Sequence, residues 1–137
     1  MNVLIDTNIV LDVLLSRAGL KEGSANILKY CESKFVNGYI SAMTVANITY
    51  ILRKDLNREK VLVILSKIFC IFNVEDLRSD DLLNAASLDF SDYEDAVQAS
   101  TAERIKAEYI VTRNLKDYKN STVPPITPEE FLESFVK

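Results

Sequence analysis

Val3-Leu4-Ile5-Asp6-Thr7-Asn8-Ile9-Val10-Leu11-Asp12 begins with three apolar residues and becomes polar at the fourth, Asp6. The apolar run before Asp6 is typical of a buried parallel strand, and an amphipathic helical pattern begins directly after it. In open α/β sheets, ligands bind in the crevice at the carboxyl ends of the strands. Asp6 is therefore predicted either to hold a hard divalent cation at such a crevice or to cap the helix that follows.

The composition indicates one globular domain over residues 1–137, with 48% hydrophobic residues, three glycines and three prolines. The longest apolar runs, at 61–65 and 68–72, are far shorter than a membrane span. No basic leader or cleavage site precedes the first strand, so we expect a cytoplasmic protein that has no membrane partner. Cys31 and Cys70 both have apolar neighbours, and we expect them to be reduced core thiols.

The chain contains no histidine, and this absence restricts its chemistry. Serine hydrolases and cysteine proteases of the usual kind need an imidazole base, and a zinc site would have only two thiols to bind it. The net charge of −4 gives no bulk attraction to nucleic acid. Acidic residues that bind a metal ion would nevertheless raise the negative count, while the ion reverses the local field.

Strands alternate with helices along the whole sequence. Strands are predicted at 2–5, 39–40, 70–74, 108–111 and 125–126, and the start of the third could equally extend the helix before it. Helices are predicted at 7–16, 22–34, 42–54, 58–68, 80–88, 92–106 and from residue 128 onward, the last two after capping boxes that begin at Ser91 and Thr127. This order predicts an α/β fold, a three-layer α/β/α sandwich around a mainly parallel sheet of four or five short strands.

Several acidic and amide side chains lie at positions that the predicted fold can bring together. Asp92 and Asp95 lie at i and i+3 on one helix face, and Asp95 borders an apolar stripe where an unpaired carboxylate costs free energy. The strand at 108–111 ends before Thr112, Asn114 and Asp117. If it runs parallel to the first strand, the side chains that converge are Asp6, Asp95, Asn114 and Asp117. Such oxygen ligands suit Mg²⁺ or Mn²⁺, and sites of this kind usually act on phosphate esters.

Three segments, at 3–12, 92–102 and 109–118, together resemble the PIN domain in order and spacing. Within that family the chain is similar to the small VapC-type toxins. The resemblance implies a Rossmann-like fold and a metal-dependent endoribonuclease that uses Mg²⁺ or Mn²⁺. It also implies an RNA substrate and a cognate antitoxin that holds the enzyme inactive.

The resemblance also implies roles for particular residues. By position, the catalytic acids are Asp6 and Asp95. The usual fourth acid aligns with Asn114, a further metal ligand, and Asp117, three residues later, is expected to compensate as the third catalytic acid. The supporting residues are Thr7, Asn8, Asp12, Asn47, Asp92 and Thr112. Asn47 and Asn114 stand where the family usually has Glu and Asp, so each keeps a carbonyl oxygen but removes a negative charge.

Residues outside the acidic set suggest what binds there. Arg113 and Lys116, next to the proposed site, are predicted to contact the RNA backbone, whereas Tyr50 is expected to be a packing aromatic. The predicted helices at 42–54 and 58–68 carry more apolar surface than one sheet face needs, which suggests a homodimer or a partner helix.

Two alternatives to the ribonuclease differ in class. The two asparagines favour a catalytically weak PIN-fold module that binds RNA or a protein. A receiver domain or an acid-based phosphatase fits poorly, because the phosphatase needs a second Asp two residues after Asp6, where Asn8 stands.

Overall fold

A computed structural model describes residues 1–136 of the chain and contains one five-stranded sheet. The strands pair in parallel throughout, in the order β3-β2-β1-β4-β5. They are β1 (Asn2–Ile5), β2 (Asn37–Ser41), β3 (Asn73–Glu75), β4 (Tyr109–Val111) and β5 (Pro125–Ile126). The predicted parallel sheet is confirmed.

Seven α-helices connect or follow these strands within residues 1–136. They are α1 (Thr7–Leu14), α2 (Lys21–Glu32), α3 (Ala42–Leu52), α4 (Arg58–Ile71), α5 (Ser79–Ala86), α6 (Tyr93–Arg104) and α7 (Pro128–Phe135). A short 3₁₀ helix, Leu115–Tyr118, follows β4 and was not predicted. None of the helices in the described part of the chain is long and apolar enough to cross a membrane.

The alternation of side chains along β1 assigns the helices to two layers. Val3 and Ile5 belong to a core cluster that also contains buried residues of α1, α2, α3, α4 and α7. Leu4 belongs to the opposite cluster, where Ala99 and Ala102 of α6 pack against it. Alanine side chains let α6 approach the sheet closely. The three-layer sandwich predicted from the sequence is confirmed.

The order of the strands reverses at β1. The chain passes from β1 to β2 and β3 on one side, and β4 and β5 are then added on the other side. β1 and β4 pair in register, with Ile5 beside Val111. The residues directly after these two strands therefore flank the crevice that forms at a topological switch point.

Of the two alternatives for the start of the strand at 70–74, the helical one is confirmed, and the prediction that Cys70 is a core thiol is wrong. The apolar run at 68–72 continues α4 as far as Ile71, so β3 begins only at Asn73 and Cys70 is exposed on the helix. Cys31 is buried as expected, and burial raises the pKa of its thiol to about 12.

The predicted capping box of α6 is displaced by one residue. Asp92, rather than Ser91, occupies the N-cap, and its Oδ1 accepts hydrogen bonds from the backbone N–H groups of Glu94 at 2.8 Å and Asp95 at 3.4 Å. Asp caps a helix as well as Ser does, and the sequence offers both in succession. The cap at Thr127 is confirmed, because its hydroxyl accepts from the backbone N–H of Glu130 at 3.1 Å.

Candidate active site

Asp6 lies at the reversal point of the sheet and is held there from β4. Its backbone N–H donates to the carbonyl of Val111 at 3.0 Å, and its Oδ2 accepts a hydrogen bond from the Thr112 hydroxyl at 2.8 Å. Asp6 occupies the N-cap position of α1, yet its side chain makes no capping hydrogen bond. The Asp6 carboxylate therefore does not cap α1, and it lies in the crevice beside β4.

A cleft of about 430 Å³ opens above this carboxylate. The predicted site residues that line it are Asp6, Thr7, Asn8, Asn47, Asp92, Asp95, Asn114 and Asp117. Asp6 comes from the end of β1, Asp95 from the first turn of α6, and Asp117 from the 3₁₀ helix that follows β4. Three separate elements thus bring the three predicted catalytic acids to one cleft.

The carboxylates repel one another. Burial is the largest cause that raises the pKa of Asp95 to about 7, and the negative charges of Asp92, Asp6 and Asp117 raise it further. A hydrogen bond from the Tyr118 hydroxyl, at 3.3 Å from Asp95 Oδ1, acts in the opposite direction. Burial also raises the pKa of Asp6, and the bond from Thr112 partly offsets it. The cleft holds more negative charge than its own donors compensate.

The donor set fits a hard divalent cation. The cleft offers carboxylate and amide oxygens, the ligands that Mg²⁺ and Mn²⁺ prefer. Gln98, one helical turn after Asp95, lines the same cleft, and its buried Oε1 has no hydrogen-bond partner within residues 1–136.

The ligand set is nevertheless incomplete. Among the described residues, no three acidic side chains lie close enough together to hold a metal ion by themselves. Mg²⁺ commonly takes only one or two carboxylates from the protein, together with water and substrate phosphate. The cleft therefore suits an ion whose shell is completed by water or by a phosphate group.

Asp12 was predicted to support this site, but the structure places it elsewhere. It is fully buried outside the cleft, where it accepts hydrogen bonds from Arg113 Nε at 2.7 Å and Ser24 Oγ at 2.8 Å. Arg17 Nη1 lies 3.3 Å from its other oxygen. The negative charge of Asp12 is thus neutralised locally and adds nothing to the cleft.

The structure also corrects the prediction for Arg113. Apart from its bond to Asp12, the guanidinium donates to both oxygens of Glu129 at 2.9 and 3.2 Å and to the Leu20 carbonyl at 2.7 Å. Arg113 therefore ties the end of β4 to α1, α2 and α7, and its donors are not free to bind a phosphate. Lys116 is exposed beside Asp117 and stays a predicted RNA contact.

Tyr50 has a different environment from the one predicted. The side chain is 55% exposed and lines the cleft, and the Arg53 guanidinium lies 4.3 Å from its ring centroid. In the sequence, Tyr50 is an aromatic residue on an apolar helix, a pattern that usually indicates packing in the core.

The sequence analysis did not identify Gln98 as a residue of the site, although its spacing of three residues from Asp95 places both on one face of α6.

The PIN domain family model matches residues 2–116. The chain belongs to the PIN domain family. A comparison with curated proteins finds no match.

Solved structures share the fold of this PIN domain at low sequence identity. VapBC2 from Rickettsia felis, bound to a DNA fragment from its promoter, has a TM-score of 0.74 and 18% identity, covering 93% of this chain and 98% of that one. A toxin-antitoxin complex from Klebsiella pneumoniae has a TM-score of 0.70 and 24% identity, covering 92% and 97%. VapC20 from Mycobacterium tuberculosis, a sarcin-ricin loop cleaving toxin, has a TM-score of 0.61 and 14% identity, covering 79% and 86%.

The raised pKa of Asp95 predicts how stability changes with pH when no divalent ion is present. The folded protein holds this proton more tightly than the unfolded chain, whose Asp has an ordinary pKa of 3.8. Stability is therefore lost as pH rises from about 4 to about 7. At about pH 8, Asp95→Asn should raise the free energy of unfolding by about 1 kcal/mol, a value reduced for solvent screening.

Urea unfolding in EDTA at about pH 4 and about pH 8 measures this effect, because the gain from Asp95→Asn should shrink at the lower pH. An equal change at both pH values would contradict the raised pKa of Asp95 in the folded protein.

The network around Arg113 predicts a large loss of stability on its removal. Arg113→Ala leaves Asp12 buried without its main partner, which should lower the free energy of unfolding by about 3 kcal/mol. Lys116→Ala, one turn further along the surface, should change it by less than about 0.5 kcal/mol. Chemical denaturation of both variants decides the point, and equal stability of the two would show that Arg113 has no structural role.

Proposed function

We propose that this PIN domain, formed by residues 1–137, is a metal-dependent endoribonuclease that hydrolyses RNA phosphodiester bonds with Mg²⁺ or Mn²⁺. The observation that supports it most is the cleft at the switch point, where Asp6, Asp95 and Asp117 come from three elements and repel one another. An excess of negative charge that lacks a protein counter-ion suits a cation that binds together with its substrate.

In this proposal each side chain has a defined part. Asp6 and Asp95 hold the cation, and Asn114 and Asp117 complete its shell directly or through water. Thr112 fixes the Asp6 carboxylate through its 2.8 Å hydrogen bond. Thr7, which lines the cleft, shares a 2.9 Å hydrogen bond between hydroxyls with Thr44, and this bond holds the start of α1 against α3.

A bound divalent ion supplies Lewis acidity, which makes water a better nucleophile and neutralises charge on the phosphoryl oxygens. The protein then needs no histidine as a base. The water oxygen bonds to phosphorus and loses a proton, while the bond from phosphorus to one ribose oxygen breaks and the leaving oxygen gains a proton. The net change is the addition of one water molecule across one P–O bond.

RNA would enter along the exposed rim of the cleft. Lys116 is exposed next to Asp117 of the cleft, and Tyr50, which lines the cleft, carries the Arg53 guanidinium over its ring. Because the chain as a whole is acidic, we expect such local contacts, and not the net charge, to position the phosphate backbone.

We further propose that the protein is the toxin of a toxin-antitoxin pair, held inactive by a cognate antitoxin in the cytoplasm. The support is the fold that the chain shares with VapBC2 and with the toxin-antitoxin complex from Klebsiella pneumoniae. The exposed side chains of Leu62, Val63 and Phe69 on α4 offer apolar surface to such a partner, or to a second copy in a homodimer.

A second candidate function is an RNA- or protein-binding module that has little catalytic activity. It is favoured by Asn47 and Asn114, which line the cleft as neutral amides. Each lowers the charge available to a cation, and ligand charge helps to set metal affinity.

Cleavage of total RNA by the purified chain separates these candidates. With Mn²⁺ or Mg²⁺ the wild type should cut RNA, EDTA should abolish cutting, and Asp6→Asn or Asp95→Asn should reduce the rate more than about 100-fold, beyond the effect usual for residues behind the ligands. Asp55→Asn, the same chemical change at an exposed position outside the cleft, is the matched control.

Wild-type cleavage rates in the Asp6→Asn variant would contradict the ribonuclease assignment. Tight RNA binding without turnover by folded protein in ample Mn²⁺ would instead support the binding module.

A further inference from the structure

We infer that Tyr118 is a positioning residue of this site: its buried hydroxyl orients the Asp95 carboxylate for the divalent cation. The inference rests on the proposed function, because it assigns Asp95 to a cation. The sequence and the resemblance both leave Tyr118 without a part in metal binding.

The Tyr118 ring is fixed by the core. The side chain is 1% exposed and packs in the cluster that contains Leu4, Ile110 and Ala99. Phe90 meets it edge to face, with ring centroids 6.3 Å apart. A ring held on several sides has little freedom to rotate its oxygen away, so the core sets the position of the hydroxyl.

The hydroxyl has one hydrogen-bond partner in the described part of the chain, Asp95 Oδ1 at 3.3 Å. A buried hydroxyl needs such a partner, because leaving it unpaired costs free energy. The bond uses one carboxylate oxygen and leaves Oδ2 of Asp95, for which residues 1–136 provide no hydrogen-bond donor.

The Tyr118 hydroxyl is a neutral donor, and this neutrality is as important for cation binding as its position. A Lys or Arg beside Asp95 would hold the carboxylate too, but its positive charge would repel a divalent cation. A neutral hydroxyl orients the carboxylate and keeps the negative charge of the cleft. A tyrosine hydroxyl is protonated at neutral pH, so it can act as the donor of this hydrogen bond.

One short element delivers both groups. Within the 3₁₀ helix Leu115–Tyr118, Asp117 is exposed to the cleft and Tyr118 is buried beneath it. Adjacent residues thus supply an acid at the surface of the site and an orienting donor behind another acid.

Tyr118→Phe removes the hydroxyl and keeps the ring. Titration of the full chain with Mn²⁺, followed by electron paramagnetic resonance, should show a Kd about 10-fold weaker than wild type, the range found when partners of metal ligands are removed. RNA cleavage should fall in the same proportion at limiting Mn²⁺ and recover at saturating Mn²⁺. Tyr39→Phe, a half-buried tyrosine outside the cleft, should leave both measurements unchanged.

An unchanged Kd in Tyr118→Phe would overturn the inference. So would a cleavage defect that persists at saturating Mn²⁺, since that pattern marks a structural role. If the wild type binds Mn²⁺ but does not cut RNA, the ribonuclease proposal fails while the ratio of the two Kd values still decides the role of Tyr118. If the wild type binds no Mn²⁺, both proposals fail.

Discussion

Parallel pairing of β1 with β4 is the constraint on which the rest of this molecule depends. Their register sets Ile5 beside Val111, so the two chains leave the sheet side by side, and Thr112 reaches Asp6 at 2.8 Å. The reversal of strand order at β1 opens the crevice, and α6 adds Asp95 to it from the opposite layer. Without this pairing, residues about a hundred positions apart would not share one cleft.

Two buried aspartates at the start of the chain show how differently the fold treats negative charge. Asp12 is neutralised by Arg113 and Arg17, and it holds helices together. Asp6, six residues earlier, accepts a hydrogen bond from the neutral Thr112 hydroxyl and faces two further acids across the cleft. A carboxylate in that position costs stability, and proteins usually keep such a cost where function needs it. The contrast separates the acids of the scaffold from those of the site.

The sequence was sufficient for the sheet, the helices and the place of Asp6, because hydrophobic period and capping residues are local signals. The partners of Arg113 were not predictable, since Asp12 and Glu129 reach it only after folding. Tyr50 and Cys70 lie in apolar helices whose exposed faces resemble buried ones in sequence. The role of Tyr118 depends on a 3₁₀ helix that has no distinct pattern. Local sequence patterns thus predicted the helices and strands, whereas contacts between distant segments determine the environment of individual side chains.

If the carboxylates at the switch point form a cation site, a crystal of the full chain soaked in Mn²⁺ will show the ion there, because anomalous scattering locates it without reference to activity. We expect a peak within coordinating distance of the carboxylates of Asp6 and Asp95, and its loss in crystals of Asp6→Asn. A well-diffracting, Mn²⁺-soaked crystal with no peak in the cleft, or with one only at other surface acids, would contradict it.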